Sequence, residues 1–524
     1  MIYLTKVEAT RIKIQASLDS LKTQKERNVL GQFSTPKDLS DSIIAFTEQF
    51  LDSDSEIRFI DPAIGTGVFY SSITRSSLSN RLQKATGFEI DPHYGLPAQE
   101  LWSNTSLNIH LDDFTKHPHP KSPEKKYNLL VCNPPYVRHH HLNGEKERLQ
   151  AKAFQSSGIE LSGLSGLYCY FMAIAHNWML PEAILAWLVP SEFMTVNYGL
   201  SLKNYLLNKV ELLQIHRFDP KDSLFDDALV SSSVVCYRMR KSSMNHQVKF
   251  TFGGSLQNPK LTRQVSSSEL TSEKKWTRFP QGKPRKRIHQ PILGDYFSIK
   301  RGIATGDNKF FILSRQEIEA RNLPIDQFRP ILPSPRYLKV SEVEADEQGN
   351  PTIDRQLFVL NCTLPIKQIK KDYPNLFTYL EMGIEIGVSN RYLCKNRKTW
   401  YFQENRNDSR FYCTYIGRSN STRVNPFRFI LNHSKAIVSN SYLILYPKPN
   451  IETLLERMPD ISASIFETLN RITGTVLSEE GRVYGGGMHK LEPKELANVP
   501  VIELEKLILN KKYSVKSPPN RACT

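Results

Sequence analysis

The chain has 524 residues, 40% of them hydrophobic and 23% charged, so it has the composition of an ordinary globular protein but is too long for one core, and two or three domains are expected. A formal net charge of +16 favours a polyanionic partner, most simply nucleic acid. No apolar run is long enough to span a bilayer, the start Met1 to Glu8 has no signal-peptide core, and seven scattered cysteines form no CxxC pair, an odd count that fits free thiols in a reducing compartment better than a disulfide framework, so a cytoplasmic location is expected.

In chain order, Ile57 to Ile60 reads as a short strand and Val68 to Ser77 as a helix. Ala85 to Ile90, Leu107 to Leu111 and Tyr127 to Cys132 read as three further strands. A helical stretch from Leu164 to Leu180 precedes a strand at Ala183 to Val189. A helix at Tyr198 to Asn208 follows, then strands at Glu211 to Phe218 and Ser232 to Arg238. This alternation predicts a doubly wound, mostly parallel α/β sheet with helices on both faces. Only a loop separates the last two strands, which predicts an antiparallel hairpin at one edge. Lys241 to Lys275 is polar and Ser-rich and reads as a boundary, and the basic stretch Gly282 to Arg287 reads as a solvated linker or a phosphate contact. From about Pro291 aromatic and basic residues intermix irregularly. The expected domains are therefore 1–275 and 276–524.

Polar residues stand at the carboxyl ends of four successive strands, the edge where open α/β sheets bind ligands. The first strand runs into Asp61-Pro62-Ala63-Ile64-Gly65-Thr66-Gly67, whose glycines permit a tight turn and close backbone approach. A third glycine and a P-loop lysine are both missing, which argues for a cofactor without a pyrophosphate. Glu89 ends the second strand, placed to accept ribose hydroxyls, and Asp113-Phe114 ends the third, a carboxylate for an adenine amino group and a ring for the purine. Each acid alone reads more simply as a strand-end cap; together they fit S-adenosylmethionine, which has a ribose and an adenine but no phosphates.

The fourth strand delivers Asn133-Pro134-Pro135-Tyr136. Alone this is a Pro-rich turn or a site for a planar base with an exocyclic amino group. In the second reading Asn133 Oδ1 and the Pro134 carbonyl each accept one N–H, neither proline offers a competing donor, and Tyr136 stacks on the ring. Upstream, Thr35 before Pro36 reads as a helix start, with Thr35 either a cap or a neighbour of the methionine carboxylate.

In their order, Gly31-Gln32-Phe33-Ser34-Thr35-Pro36, Asp61 to Gly67, Phe88-Glu89-Ile90-Asp91-Pro92, Asp113-Phe114 and Asn133 to Tyr136 resemble the gamma-class (TaqI-like) DNA adenine-N6 methyltransferases of bacterial restriction–modification systems. Phe225, five residues before Val230, matches the family's phenylalanine against the flipped base. Ile299 to Asn308 and Val483 to Pro493 resemble the opening and close of its recognition domain.

The resemblance implies a Rossmann-like class I S-adenosylmethionine-dependent methyltransferase domain and a C-terminal mixed α/β DNA-recognition domain. It implies that Thr35, Asp61, Ala63, Gly65, Gly67, Glu89, Ile90, Asp113 and Phe114 hold S-adenosylmethionine. Asn133, Pro134, Pro135, Tyr136 and Phe225 then hold a flipped adenine. The family often has a small or hydrophobic residue before the aspartate, whereas Asp112 precedes Asp113 here, so two carboxylates compete for the adenine contact.

Double-stranded DNA is the implied partner, read by candidates such as Arg301, Lys309, Arg391 and Lys490. About 30 residues precede the first motif, too few for a nuclease domain, so a cognate restriction endonuclease is expected as a separate chain and the protein itself as a monomer. No metal is required: His139-His140-His141 lacks structural-zinc spacing and reads as a loop near base or phosphate. Gly485 to Gly487 reads as a turn, beside DNA or not. RNA adenine, cytosine N4, a protein glutamine amide and a catalytically silent DNA-binding protein are the alternatives.

Overall fold

The structure, a computed structural model, describes residues 2–142, 144–219, 232–243, 245–281, 290–418, 425–484 and 488–514. The chain forms two compact units, one of Met1–Lys286 with Tyr484–Gly486, the other of Arg287–Val483 with Gly487–Thr524.

The first unit opens with helices α1 (Ile2–Ser20), α2 (Gln24–Leu30) and α3 (Lys37–Glu48). Strand β1 (Ile57–Asp61), helix α4 (Val68–Thr74), β2 (Leu82–Phe88), helix α5 (Pro92–Leu101), β3 (Leu107–His110) and β4 (Tyr127–Cys132) follow. Then come α6 (Lys146–Ser157), α7 (Leu167–Ile174), β5 (Met179–Pro190), α8 (Gly199–Asn208), β6 (Glu211–Arg217), β7 (Ser232–Arg238), β8 (Gln247–Gly254) and β9 (Pro259–Ser266).

Nine strands make one sheet in the order β3-β2-β1-β4-β5-β7-β6-β8-β9. β1 pairs in parallel with both β2 and β4, so the strand order reverses between β1 and β4. That reversal opens a crevice at their carboxyl ends, where Asp61 to Gly67 meets Asn133 to Tyr136.

Side chains alternate along the buried strands as a two-residue period requires. In β5, Ile184, Ala186 and Leu188 join a core with α3, α4 and α5, while Leu185, Trp187 and Val189 join a second core with α6, α7 and α8.

Three sequence expectations are corrected. The hairpin partner β7 lies inside the sheet, antiparallel to both β5 and β6. The true edge is β8–β9, formed from Lys241 to Lys275, which had read as a boundary. Its apolar signal is faint because β9 buries only Val265, while Lys260, Leu261, Thr262 and Gln264 stay exposed. The helix expected over Leu164 to Leu180 spans only Leu167–Ile174, and β5 already begins at Met179.

The second unit is mixed α/β. Its largest sheet orders strands Phe297–Arg301, Tyr442–Pro447, Phe411–Thr414, Phe429–Asn432 and Glu342–Val343, beside two three-stranded sheets. The basic stretch at 282–287 and the glycines at 485–487 lie outside the described residues. Among the described residues, no helix is long and apolar enough to cross a membrane.

Candidate functional site

Asp61 closes β1 with 1% of its surface exposed, and its Oδ1 accepts the Ala63 N–H at 3.1 Å, which starts the loop. Burial pushes its carboxyl up to about 7, with the Glu89 charge adding to the rise. Gly65 and Gly67 have φ of +55° and +89°, the left-handed region that favours glycine. A Cβ on Gly67 would lie 2.5 Å from Trp102 Nε1, which donates to the Thr66 carbonyl at 2.9 Å. A Cβ on Gly65 would meet nothing within 4 Å, and this residue faces a cavity.

Glu89 follows β2 and braces the loop. Its Oε2 accepts the Gly65 N–H at 3.0 Å and its Oε1 the Asp91 N–H at 2.9 Å. A carboxylate has about four acceptor positions, so two remain for hydroxyl donors. Burial pushes this carboxyl up to about 7.

Beyond β3, Asp113 Oδ1 accepts the Thr115 N–H at 2.8 Å and hydroxyl at 2.7 Å, and its Oδ2 lies 3.8 Å from Arg148 Nη2. Asp112 is otherwise engaged, with Oδ1 on the Asp113 N–H at 2.7 Å and Oδ2 on His117 Nδ1 at 3.0 Å. The less committed carboxylate oxygen therefore belongs to Asp113. Phe114 is buried, its ring 5.5 Å from Phe88, 5.5 Å from Phe171 and 5.1 Å from Trp178.

Asn133 leaves β4 into the same crevice. Its Nδ2 donates to the Phe33 carbonyl at 3.0 Å and to Thr35 Oγ1 at 3.1 Å, while its Oδ1 is buried with no hydrogen-bond partner. A backbone carbonyl only accepts, so the atom facing Phe33 must be the nitrogen. The Gly31–Thr35 segment is held in place by Gly31, whose carbonyl accepts the Tyr136 N–H at 3.2 Å. The Tyr136 ring lies 5.6 Å from the Phe33 ring, and its hydroxyl donates to the Leu188 carbonyl at 3.0 Å. Thr35 is not the helix cap: Pro36 occupies the N-cap of α3 without a side-chain cap bond, and Thr35 turns to Asn133 instead. Phe225 lies outside the described residues.

One cavity of about 470 Å³ collects Ala63, Gly65, Glu89, Ile90, Asp113, Phe114, Asn133 and Pro135. Its size is that of a small-molecule site. Thr35, Asp61, Gly67, Pro134 and Tyr136 do not line it. The same wall includes Gln15 and Asp19 of α1 and Val29 and Leu30 of α2, which the sequence reading missed. Arg11 of α1 donates to Thr66 Oγ1 at 3.0 Å from a buried ion pair with Glu8 at 2.8 Å, and Tyr94 donates to Asp19 at 2.9 Å. The only sequence trace of this is the Glu8/Arg11 spacing, because polar and apolar residues do not segregate along α1. Arg11→Ala should leave Glu8 buried without its cation and cost about 3–5 kcal/mol. Denaturant unfolding checks this, and a loss under about 1 kcal/mol would mean that α1 does not clasp the loop.

In the second unit, Arg301 lies 3.9 Å over the Tyr415 ring, Lys490 pairs with Glu492 at 2.9 Å and Arg391 with Asp307 at 2.9 Å; Lys309 is exposed. Glu342, Glu344 and His433 bring three exposed potential metal ligands together.

Residues 10–225 match the family described as Eco57I restriction-modification methylase, and residues 283–517 match the C-terminal domain of the type II methyltransferase M.Eco57I. Together the two matches span most of the chain, which fits a bacterial restriction–modification DNA methyltransferase of the Eco57I type. It is 24% identical over 496 residues to the type II methyltransferase M.AccI of Acinetobacter calcoaceticus, covering 91% of this chain and 86% of that one. It is 24% identical over 472 residues to the type II methyltransferase M.XamI of Xanthomonas campestris pv. amaranthicola, covering 86% and 82%. In fold it is similar to the type IIL restriction-modification enzyme MmeI in complex with DNA, with a TM-score of 0.51 at 14% identity, over 98% of this chain and 76% of that one. The DrdV–DNA complex gives a TM-score of 0.51 at 11% identity, over 93% and 57%.

S-adenosylmethionine is the expected cofactor of the methylase. The cavity fits it: Glu89 keeps two acceptor positions, the open side of Gly65 leaves room, and Asp113 and Phe114 offer an acceptor and a ring.

Proposed function

We propose that the methylase transfers a methyl group from S-adenosylmethionine to N6 of an adenine in a short, specific DNA sequence, protecting host DNA from a cognate restriction endonuclease carried on a separate chain. The observation that carries this reading is the Asn133 amide, turned so that its donors are spent on Phe33 and Thr35 and its buried oxygen is free. A free acceptor beside a carbonyl-bearing proline suits an amino group with two hydrogens.

The bound cofactor supplies a sulfonium-activated methyl group. Asn133 Oδ1 and the Pro134 carbonyl accept the two N6 hydrogens, which draws the nitrogen lone pair out of the ring and aims it at the methyl. Catalysis is then positioning and electrostatics. An adenine inside a duplex is out of reach, so the base flips out at a cost of about a few kcal/mol, offset by stacking on Tyr136 and Phe225. Residues 1–275 carry the chemistry. Residues 276–524, with Arg301, Lys309, Arg391 and Lys490 among the candidates, hold phosphates and read base edges, and the methylase acts as a monomer.

Glu89, accepting the ribose hydroxyls, makes cofactor binding pH-dependent. Its carboxyl sits near 7 in the free protein, above the ordinary carboxyl range. Ionising it therefore costs folding stability as pH rises toward about 7, and hydroxyl donors recover that loss. Binding should release a proton below about pH 7, with affinity falling toward tenfold per pH unit. Calorimetry in buffers of different ionisation enthalpy reads this directly; pH-independent affinity would remove Glu89 from the hydroxyl contact.

The decisive test is methylation of genomic DNA lacking methyladenine, read by single-molecule sequencing. N6-methyladenine in one short recurring sequence is expected. Methylated cytosine, or no DNA product despite measured cofactor binding, would overturn the reading and point to N4 or to RNA.

A further inference from the structure

An amide flips easily about its last torsion, and the two orientations of Asn133 are chemically opposite. One presents an acceptor to the target amino group, and the other presents donors to donors. The choice is made by what holds the amide nitrogen. Its two hydrogens have two acceptors, the Phe33 carbonyl at 3.0 Å and Thr35 Oγ1 at 3.1 Å. Both acceptors lie on the short strap that begins at Gly31 and runs against the Asn133–Tyr136 loop. Gly31 has φ of +65°, and a Cβ on it would lie 2.4 Å from the Tyr136 nitrogen, so the strap touches the loop backbone to backbone. Thr35 is 8% exposed, which keeps water from replacing its hydroxyl as acceptor.

We propose that Thr35 is a positioning residue for the target amide: its hydroxyl, with the Phe33 carbonyl, locks Asn133 with Oδ1 toward the acceptor amine. The inference rests on the reading of Asn133 as the N6 acceptor. It gives Thr35 a role other than touching the cofactor, since the contact observed is to Asn133. The hydroxyl accepts from the amide, so its own hydrogen stays available to another group.

Thr35→Val keeps the shape of the side chain and removes the acceptor, leaving one Nδ2 hydrogen without a partner. The turnover rate kcat should fall about 10- to 100-fold, with KM for DNA changed by less than about threefold. Cofactor affinity, measured calorimetrically without DNA, should stay within about threefold of wild type. Thr35→Ser should restore most of kcat, because it returns the hydroxyl.

Wild-type kcat in Thr35→Val would overturn the inference. A loss of cofactor affinity matching the loss of kcat would also overturn it, making Thr35 a cofactor ligand. So would a Thr35→Ser variant as slow as Thr35→Val. The parent reading fails separately, if the wild-type enzyme puts no methyl group on adenine N6 or if Asn133→Ala keeps its turnover. Thermal unfolding of Thr35→Val, expected at the wild-type midpoint within a few degrees, separates misfolding from misorientation.

Discussion

Asn133→Ala is expected to lower methyl transfer by at least about 10²–10³-fold while leaving cofactor affinity near wild type. The side chain supplies one of two acceptors for the N6 hydrogens, and the Pro134 carbonyl alone leaves the second hydrogen without an acceptor and the nitrogen lone pair conjugated to the ring. Cofactor affinity is spared because Glu89 and Asp113 come from other strands and neither hydrogen-bonds to Asn133. Asn133→Asp makes a sharper comparison. A carboxylate keeps an acceptor toward the cavity, but its second oxygen would face the Phe33 carbonyl at the place where Nδ2 now donates at 3.0 Å. Two acceptors at that distance repel, so the aspartate should be nearly as slow as the alanine. Single-turnover rates on a duplex containing the recognition sequence measure both. A fully active Asn133→Asp enzyme would show that Phe33 and Thr35 do not set the orientation.

The sheet was legible wherever a strand is apolar on both faces and ends in polar residues. β4 and β7 lie where the sequence placed them, because helices or neighbouring strands cover both of their sides. The hairpin position was not legible. A loop joining two strands predicts that they pair, and β6 and β7 do pair. It cannot predict that the second strand inserts beside β5 and leaves the first to pair with β8. β9 failed for another reason: an edge strand needs little burial, so Lys260, Thr262, Arg263 and Gln264 look like a linker.

At the site, the strand-end residues were readable because their chemistry is local to each motif. The partners of Asn133 were not, because Phe33 and Thr35 come from about 100 residues earlier in the chain. Only the family resemblance links the two segments in the sequence; the hydrogen bonds from Asn133 to Phe33 and Thr35 are the physical link. The contribution of α1 was invisible for a related reason. Arg11 acts through Thr66, 55 residues away, and nothing in the periodicity of α1 marks the face that docks.

Two glycines separate the strap from the cofactor loop by experiment. Gly31→Ala places a Cβ 2.4 Å from the Tyr136 nitrogen and 2.9 Å from the Val137 nitrogen, both backbone atoms that cannot step aside alone. The left-handed φ of +65° adds about 1–2 kcal/mol for any residue with a Cβ. The strap must lift from the loop, and the Phe33 and Thr35 acceptors leave Asn133 with it. Turnover should therefore fall by about 10²-fold or more, approaching the Asn133→Ala enzyme. Gly65→Ala has a comparable φ of +55° but meets no atom within 4 Å, because its open side faces the cavity. The added methyl group takes space from the ligand, so cofactor affinity should fall about tenfold or more while turnover at saturating cofactor stays closer to wild type. Measuring KM for cofactor and kcat for both variants tests the pair together. If Gly31→Ala weakened cofactor binding and left kcat intact, the strap would belong to the cofactor site alone, and the orientation of Asn133 would need another cause.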